Sequence, residues 1–208
     1  MNSPIYNMRP RRQSGIPDVV FVLLIANGLL YALERFSPEF MIYNFGLWPL
    51  DSGLFRPWQL LTYGFLHDLN SLYHLGFNML GLWMFGRHIE PMMGTQRFII
   101  YYLTCVVGAG FIQLLVAGLQ GGVYFTVGAS GGLMGILLAY AIAFPNQTIM
   151  LLIPPIPMKA KYFVLLFALL SIVLGISGRA AGIAHFAHLG GMLFGFLLLN
   201  YWNRPRRR

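Results

Sequence analysis

Residues 97–119 read RFIIYYLTCVVGAGFIQLLVAGL, with one charge at the first position and none after it. Wound as an α-helix at about 1.5 Å per residue, a run of this length outreaches the ~30 Å hydrocarbon core of a bilayer. A surface helix of a soluble domain keeps a polar face, and this run has none. Two further apolar segments precede it, at about 18–34 and 71–88, and three follow it, at about 128–144, 160–177 and 184–202. The 208-residue chain is 57% hydrophobic and 10% charged, whereas soluble domains carry roughly 25% charged residues. So few ions cannot cover a water-facing surface. The expected fold class is all-α: a polytopic membrane protein of six transmembrane helices in a single domain.

The distribution of Lys and Arg orients the bundle. With the N-terminus inside, eleven basic residues (Arg9, Arg11, Arg12, Arg87, Arg97, Lys159, Lys161, Arg204, Arg206, Arg207 and Arg208) face the cytoplasm, and three (Arg35, Arg56 and Arg179) face out. The chain thus divides into a basic cytoplasmic tail 1–17, a membrane domain 18–202 and a second basic cytoplasmic tail 203–208. The net charge of +8 sits at the ends and in short loops, a placement that suits a membrane surface and not nucleic acid. No cleavable signal peptide is expected, because no small-residue cleavage site follows the first apolar run. Cys105 stands alone and forms no internal disulfide.

Two connections stand out. Segment 35–70 carries Phe36, Phe40, Tyr43, Phe45, Trp48, Phe55, Trp58, Tyr63 and Phe65. Aromatic rings favour the headgroup layer, so this loop is expected to lie on or in the outer interface. Segment 145–159 holds Pro154, Pro155 and Pro157, which stop helices, and is expected to be an inner-side turn.

Polar side chains within spans are costly and are functional suspects. No acidic or basic side chain is expected at mid-membrane. Counted from the outer face, span 2 brings His74 and Asn78, span 4 brings Ser130, and span 6 brings His185 and His188. All fall in the outer part of the membrane. His74 and Asn78 are four apart and share one helix face. Span 4 opens Gly128-Ala129-Ser130-Gly131-Gly132, where glycine permits a tight turn. The first amides of a helix also lack intrahelical partners, and such donors beside a serine oxygen suit an acyl-transfer oxyanion. Gly131 and Gly135 on span 4, and Gly191 and Gly195 on span 6, form two small-xxx-small pairs that let backbones approach. His188 lies on roughly the face of Gly191 and Gly195, so docking span 6 on span 4 would carry its imidazole toward Ser130. His185, one turn nearer the aqueous edge, reads as structural or interfacial. His67 reads as structural support at the outer edge of span 2. A metal site from His74, His185 and His188 is set aside, because no acidic or cysteine ligand shares their depth.

These residues resemble the rhomboid family of intramembrane serine proteases. The resemblance rests on His74-x-x-x-Asn78, on Gly128-Ala129-Ser130-Gly131, on Ala187-His188-x-x-Gly191-x-x-x-Gly195, and on Gly86-Arg87-x-x-Glu90 with Gly94; it covers about 55–200. It implies a six-helix rhomboid-like bundle with a half-submerged first loop, in the basic bacterial form. It implies Ser130 as nucleophile, His188 as general base without a carboxylate, and His74, Asn78 and the Ser130 amide as oxyanion donors. Gly128, Gly131, Gly135, Gly191 and Gly195 support the helix packing. Span 5 and segment 175–184 would be lateral gate and cap. The implied substrates are single-span or multi-span membrane proteins, cut near the outer edge of a transmembrane segment, with no cofactor and no metal. The implied setting is the lipid bilayer of the bacterial inner membrane. Three departures stand: Gln59 follows Trp58 where the family often has arginine, Met134 stands four residues after the serine where an aromatic is common, and the stretch from His67 to His74 is long. The alternatives are an inactive rhomboid-like binder or chaperone of membrane segments, and a small transporter or channel, which the lack of midplane charge and of repeats disfavours. Oligomeric state is left open.

Overall fold

The computed structural model describes residues 19–121, 124–150, 155–177 and 184–204. The tail 1–17, the last four residues, Pro154, Arg179 and most of the expected cap 175–184 lie outside the described residues. Each of the six expected apolar segments falls on helix. The first is α1 (Val19–Phe36). The connection after it carries two short helices, α2 (Pro38–Phe45) and α3 (Gln59–Thr62). The second apolar segment starts as α4 (Leu72–Gly81), widens through a π turn at Leu82–Gly86 and continues as α5 (Arg87–Met93). There follow α6 (Thr95–Gln120), α7 (Ser130–Ala143), α8 (Ala160–Ser177) and α9 (His185–Trp202). By length and composition, three described helices suffice to cross a membrane: Val19–Phe36, Thr95–Leu119 and Ala160–Ser177.

The expected inner-side turn contains a small ladder. Thr148–Met150 (β1) pairs antiparallel with Pro157–Lys159 (β2), Thr148 opposite Lys159. Pro157 is tolerated because it opens a strand that is itself an edge.

The core is the contact of α6, α7 and α9. α7 is buried on nearly every side, so its sequence shows no apolar stripe. The outer helices turn apolar faces outward: Leu29 and Leu33 on α1, Tyr73 and Phe77 on α4, Leu165, Leu169 and Val173 on α8 are all exposed. Exposed apolar surface of this extent suits lipid and not water. Some polar groups inside find backbone partners. Tyr101 Oη donates to the Gly135 carbonyl at 2.7 Å, and Tyr63 Oη to that of Val106 at 2.7 Å. Glu90, buried on α5, accepts the backbone N–H of Val19 at 2.7 Å and of Val20 at 2.9 Å. It satisfies two amides that open α1, where a carboxylate also meets the positive end of the helix dipole.

The glycine pairs set the interhelical distances. A Cβ on Gly191 would run into the Gly131 carbonyl oxygen, and one on Gly135 into Cys105 Sγ, with the Gly191 oxygen at 3.2 Å. A Cβ on Gly195 would lie 2.5 Å from Tyr101 Oη. Backbone therefore meets backbone between α7 and α9, with α6 sealing the contact.

Candidate active site

The loop before α4 fixes the approach to α7. Gln59, which follows Trp58 at the position where the resemblance leads to arginine, is fully buried on α3. Its carbonyl oxygen accepts the Arg56 N–H at 3.0 Å and its amide donates to the Leu54 carbonyl at 3.2 Å. The indole of Trp58 donates to the Asn44 carbonyl at 2.9 Å. A neutral amide, both donor and acceptor, can thus tie several strands of loop backbone that a guanidinium, a donor only, would bind in part. The loop then clasps the segment entering α7: Leu47 and Thr126 exchange backbone hydrogen bonds at 3.0 and 2.9 Å, and Gly128 N–H donates to the Tyr63 carbonyl at 2.9 Å.

Those bonds hold Gly128 at φ +133, a conformation that needs glycine. The space left by the missing side chain is informative. A Cβ there would stand 2.9 Å from His74 Nε2 and 3.7 Å from Ser130 Oγ. Ser130 opens α7 immediately after this turn. From α9, His188 places Nε2 at 2.8 Å from Ser130 Oγ. Hydroxyl and imidazole are thus brought together by the Gly131–Gly191 contact one position and three positions further along their helices.

Among the described residues His188 has no carboxylate partner. Its Nδ1 is buried and makes no hydrogen bond among the described residues. Rings flank it instead: Phe167 of α8 at 6.0 Å between centroids, and His185 at 6.2 Å, edge-on. Met134 is buried on α7, and the aromatic support common at that position is supplied here by α8.

His74 is held differently. The backbone N–H of Asp68 donates to its Nδ1 at 3.1 Å. A neutral imidazole that accepts at Nδ1 carries its proton on Nε2, the nitrogen that faces the Gly128–Ser130 turn. Asn78 lies one turn on, with its amide donating to the His74 carbonyl at 2.8 Å; in this conformation the donor is engaged within its own helix. His67 packs its ring on His74, centroids 5.3 Å apart. It is almost wholly buried, and burial, with the neighbouring His74, holds its imidazole down to about 4, so it is uncharged at neutral pH. His185 is buried. Among the described residues no three metal-binding side chains gather.

Residues 55–204 match the family model described as Rhomboid domain. The chain belongs to the rhomboid family. Rhomboid relatives include the mitochondrial rhomboid protein 1 of Saccharomyces cerevisiae, 28% identical over 93% of this chain and 58% of that protein. The rhomboid protease GlpG of Photorhabdus laumondii is 25% identical over 93% of this chain and 64% of its own. The mitochondrial presenilin-associated rhomboid-like protein of Rattus norvegicus is 29% identical over 86% and 47%. The chain therefore spans about half to two thirds of the length of these relatives.

Sequence reasoning passed over several residues that build this rhomboid site. Asp68 acts through its backbone, which leaves no trace in side-chain patterns. Phe167 reads as one more apolar residue of a lipid-facing helix. Glu34, fully buried in the last turn of α1, did carry a signal: a carboxylate in the last turn of an apolar segment is costly and asks for a partner.

Proposed function

We propose that this chain is an intramembrane serine endopeptidase that hydrolyses peptide bonds in or near transmembrane segments of other membrane proteins. The observation that carries the reading is the 2.8 Å approach of His188 Nε2 to Ser130 Oγ between α7 and α9. Rhomboid membership and the relatives named as proteases support it.

Ser130 Oγ attacks the scissile carbonyl carbon as His188 Nε2 takes the hydroxyl proton. The resulting oxyanion enters the space beside Gly128, where His74 Nε2–H and the first amides of α7 face it. Asn78 joins them once its amide turns from the His74 carbonyl. His188 returns the proton to the leaving amine, and the acyl group stays on Ser130. Water, giving a proton to His188, then attacks the acyl carbon; His188 passes that proton to Ser130 Oγ as the ester bond breaks, which frees the new carboxyl terminus and restores the serine. With no carboxylate beside His188 among the described residues to stabilise the imidazolium, turnover is expected to be slow.

In this reading the six apolar segments all cross the bilayer, both basic tails (1–17 and 203–208) are cytoplasmic, and domain 18–202 lies in a bacterial inner membrane. The aromatic first loop is half submerged, the site opens to the outer face for water, and α8 is the side through which substrate enters.

The test is cleavage of a generic single-span substrate by the purified protein, wild type and Ser130→Ala. Wild type is expected to cut and to be labelled by a serine-reactive fluorophosphonate, and Ser130→Ala to do neither. Equal cleavage by Ser130→Ala would remove the nucleophile. A wild type that binds substrate without cutting it or taking the label would be the inactive binder.

A further inference from the structure

Glu34 and Arg35 close the outer end of α1, and both reach the same three-residue segment. The Glu34 carboxylate accepts the backbone N–H of His67, at 3.0 Å to one oxygen and 3.3 Å to the other. Arg35 Nη1 donates to the carbonyl of Leu69 at 3.3 Å. Between them lies Asp68, whose N–H donates to His74 Nδ1. Glu34 is fully buried, and a carboxylate is not kept out of water in an apolar helix without a compensating role.

We propose that Glu34, assisted by Arg35, is a positioning residue for His74: α1 grips the His67–Leu69 segment so that the Asp68 amide holds His74 with its Nε2 proton facing Ser130. The inference rests on the proteolytic reading for its effect on rate, but not for its effect on the imidazole. The link has three steps. The carboxylate fixes the peptide plane entering His67, the guanidinium fixes the carbonyl leaving Leu69, and the amide between them is left no freedom to turn from Nδ1. Without that amide the two neutral tautomers of His74 compete, and the form protonated on Nδ1 presents a lone pair to an oxyanion instead of a donor. α1 then has a task in the chemistry, although it contributes no group that touches the substrate.

The test is a coupling measurement on the full-length protein. Glu34→Ala is expected to lower kcat about tenfold with KM within about twofold. Glu34→Gln keeps an oxygen that accepts the His67 N–H and is expected to stay within about threefold of wild type. In a His74→Ala background, Glu34→Ala is expected to cost less than about twofold more, because both act through one group. Nitrogen-15 spectra of the imidazoles, with His74 assigned by its loss in His74→Ala, are expected to show the Nε2–H form in wild type and a mixture in Glu34→Ala. If Glu34→Ala does not fold, Arg35→Ala at the exposed side of the same grip is expected to lower kcat about threefold with the same dependence on His74. An equal loss with and without His74, or an unchanged His74 tautomer, would overturn the proposal. Absence of Ser130-dependent cleavage in wild type would overturn the protease reading instead, while the spectra still decide the Glu34 link.

Discussion

His188 and His74 reach the Ser130 turn from α9 and α4, and they are held there by different physics. His74 is pinned by hydrogen bonds: the Asp68 amide to its ring, and behind that amide Glu34 and Arg35 of α1. Among the described residues the His188 ring shares one hydrogen bond, with Ser130 itself, and is otherwise placed by shape: the Gly131–Gly191 backbone contact below it and the rings of Phe167 and His185 beside it. The difference follows from what each imidazole does in the proposed reaction. A donor to an oxyanion has to keep one tautomer throughout, and a hydrogen bond to the opposite nitrogen enforces it. A base that takes and returns a proton has to reach the same serine in both states, and close packing fixes position without favouring either.

The shape-held side should break most sharply under added volume. In Gly191→Ala a single methyl meets the Gly131 carbonyl, so α7 and α9 must part and the hydroxyl must leave the imidazole. Overpacking of this kind costs about 1–3 kcal/mol of stability. Cleavage is expected to fall to the Ser130→Ala level while the protein still runs as a folded species in detergent. Retained activity in Gly191→Ala would mean that the helix contact does not place the dyad.

The hydrogen-bonded side should respond next, and unequally. Removing one oxyanion donor costs about 10²–10³ in kcat in proteases of other folds. His74→Ala is expected to reach that range, since Nε2 already faces the turn. Asn78→Ala is expected to cost only about tenfold, because its amide has first to give up the His74 carbonyl, which offsets much of what it contributes. Single-turnover rates of both variants on one substrate check the order; a larger loss from Asn78 would make it the principal donor.

The same contrast explains what could be read from the sequence. Helix positions were legible because apolar runs of membrane length have few other solutions, and all six fall on helix. The approach of Ser130 to His188 was legible because small residues at a spacing of four declare a close helix contact, and the 2.8 Å approach rides on it. The hydrogen-bonded side was legible only in His74 and Asn78, themselves on one helix. What holds His74 comes from backbone amides at 67 and 68 and from a glutamate about forty residues earlier, and backbone donors have no spacing in a sequence. Gln59 shows the limit from another direction. Read against the family it is a lost arginine; in the structure its amide ties the loop on both sides. The pairing of β1 with β2 was likewise hidden, since three-residue strands beside prolines carry too short an alternation to recognise.

The smallest effect should come from the ring beside the base. Phe167 sits on α8, the helix with the least buried surface of the three long apolar ones, so the support of His188 is lent by the element that substrate would push aside. A contact between aromatic rings is worth about 0.5–1.5 kcal/mol, which is roughly twofold to twelvefold in rate if it is spent on holding the imidazole. Phe167→Leu is therefore expected to slow fluorophosphonate labelling of Ser130 severalfold, and Phe167→Tyr to restore it. Phe163→Leu, one turn away, removes a ring that pairs with Phe167 at 6.1 Å and not the ring paired with His188, and should label closer to the wild-type rate. The small label matters, because it need not pass between helices. If Phe167 merely blocked the entrance, its truncation would leave labelling unchanged and speed the cutting of a membrane substrate, whereas a ring that steadies the base must slow both.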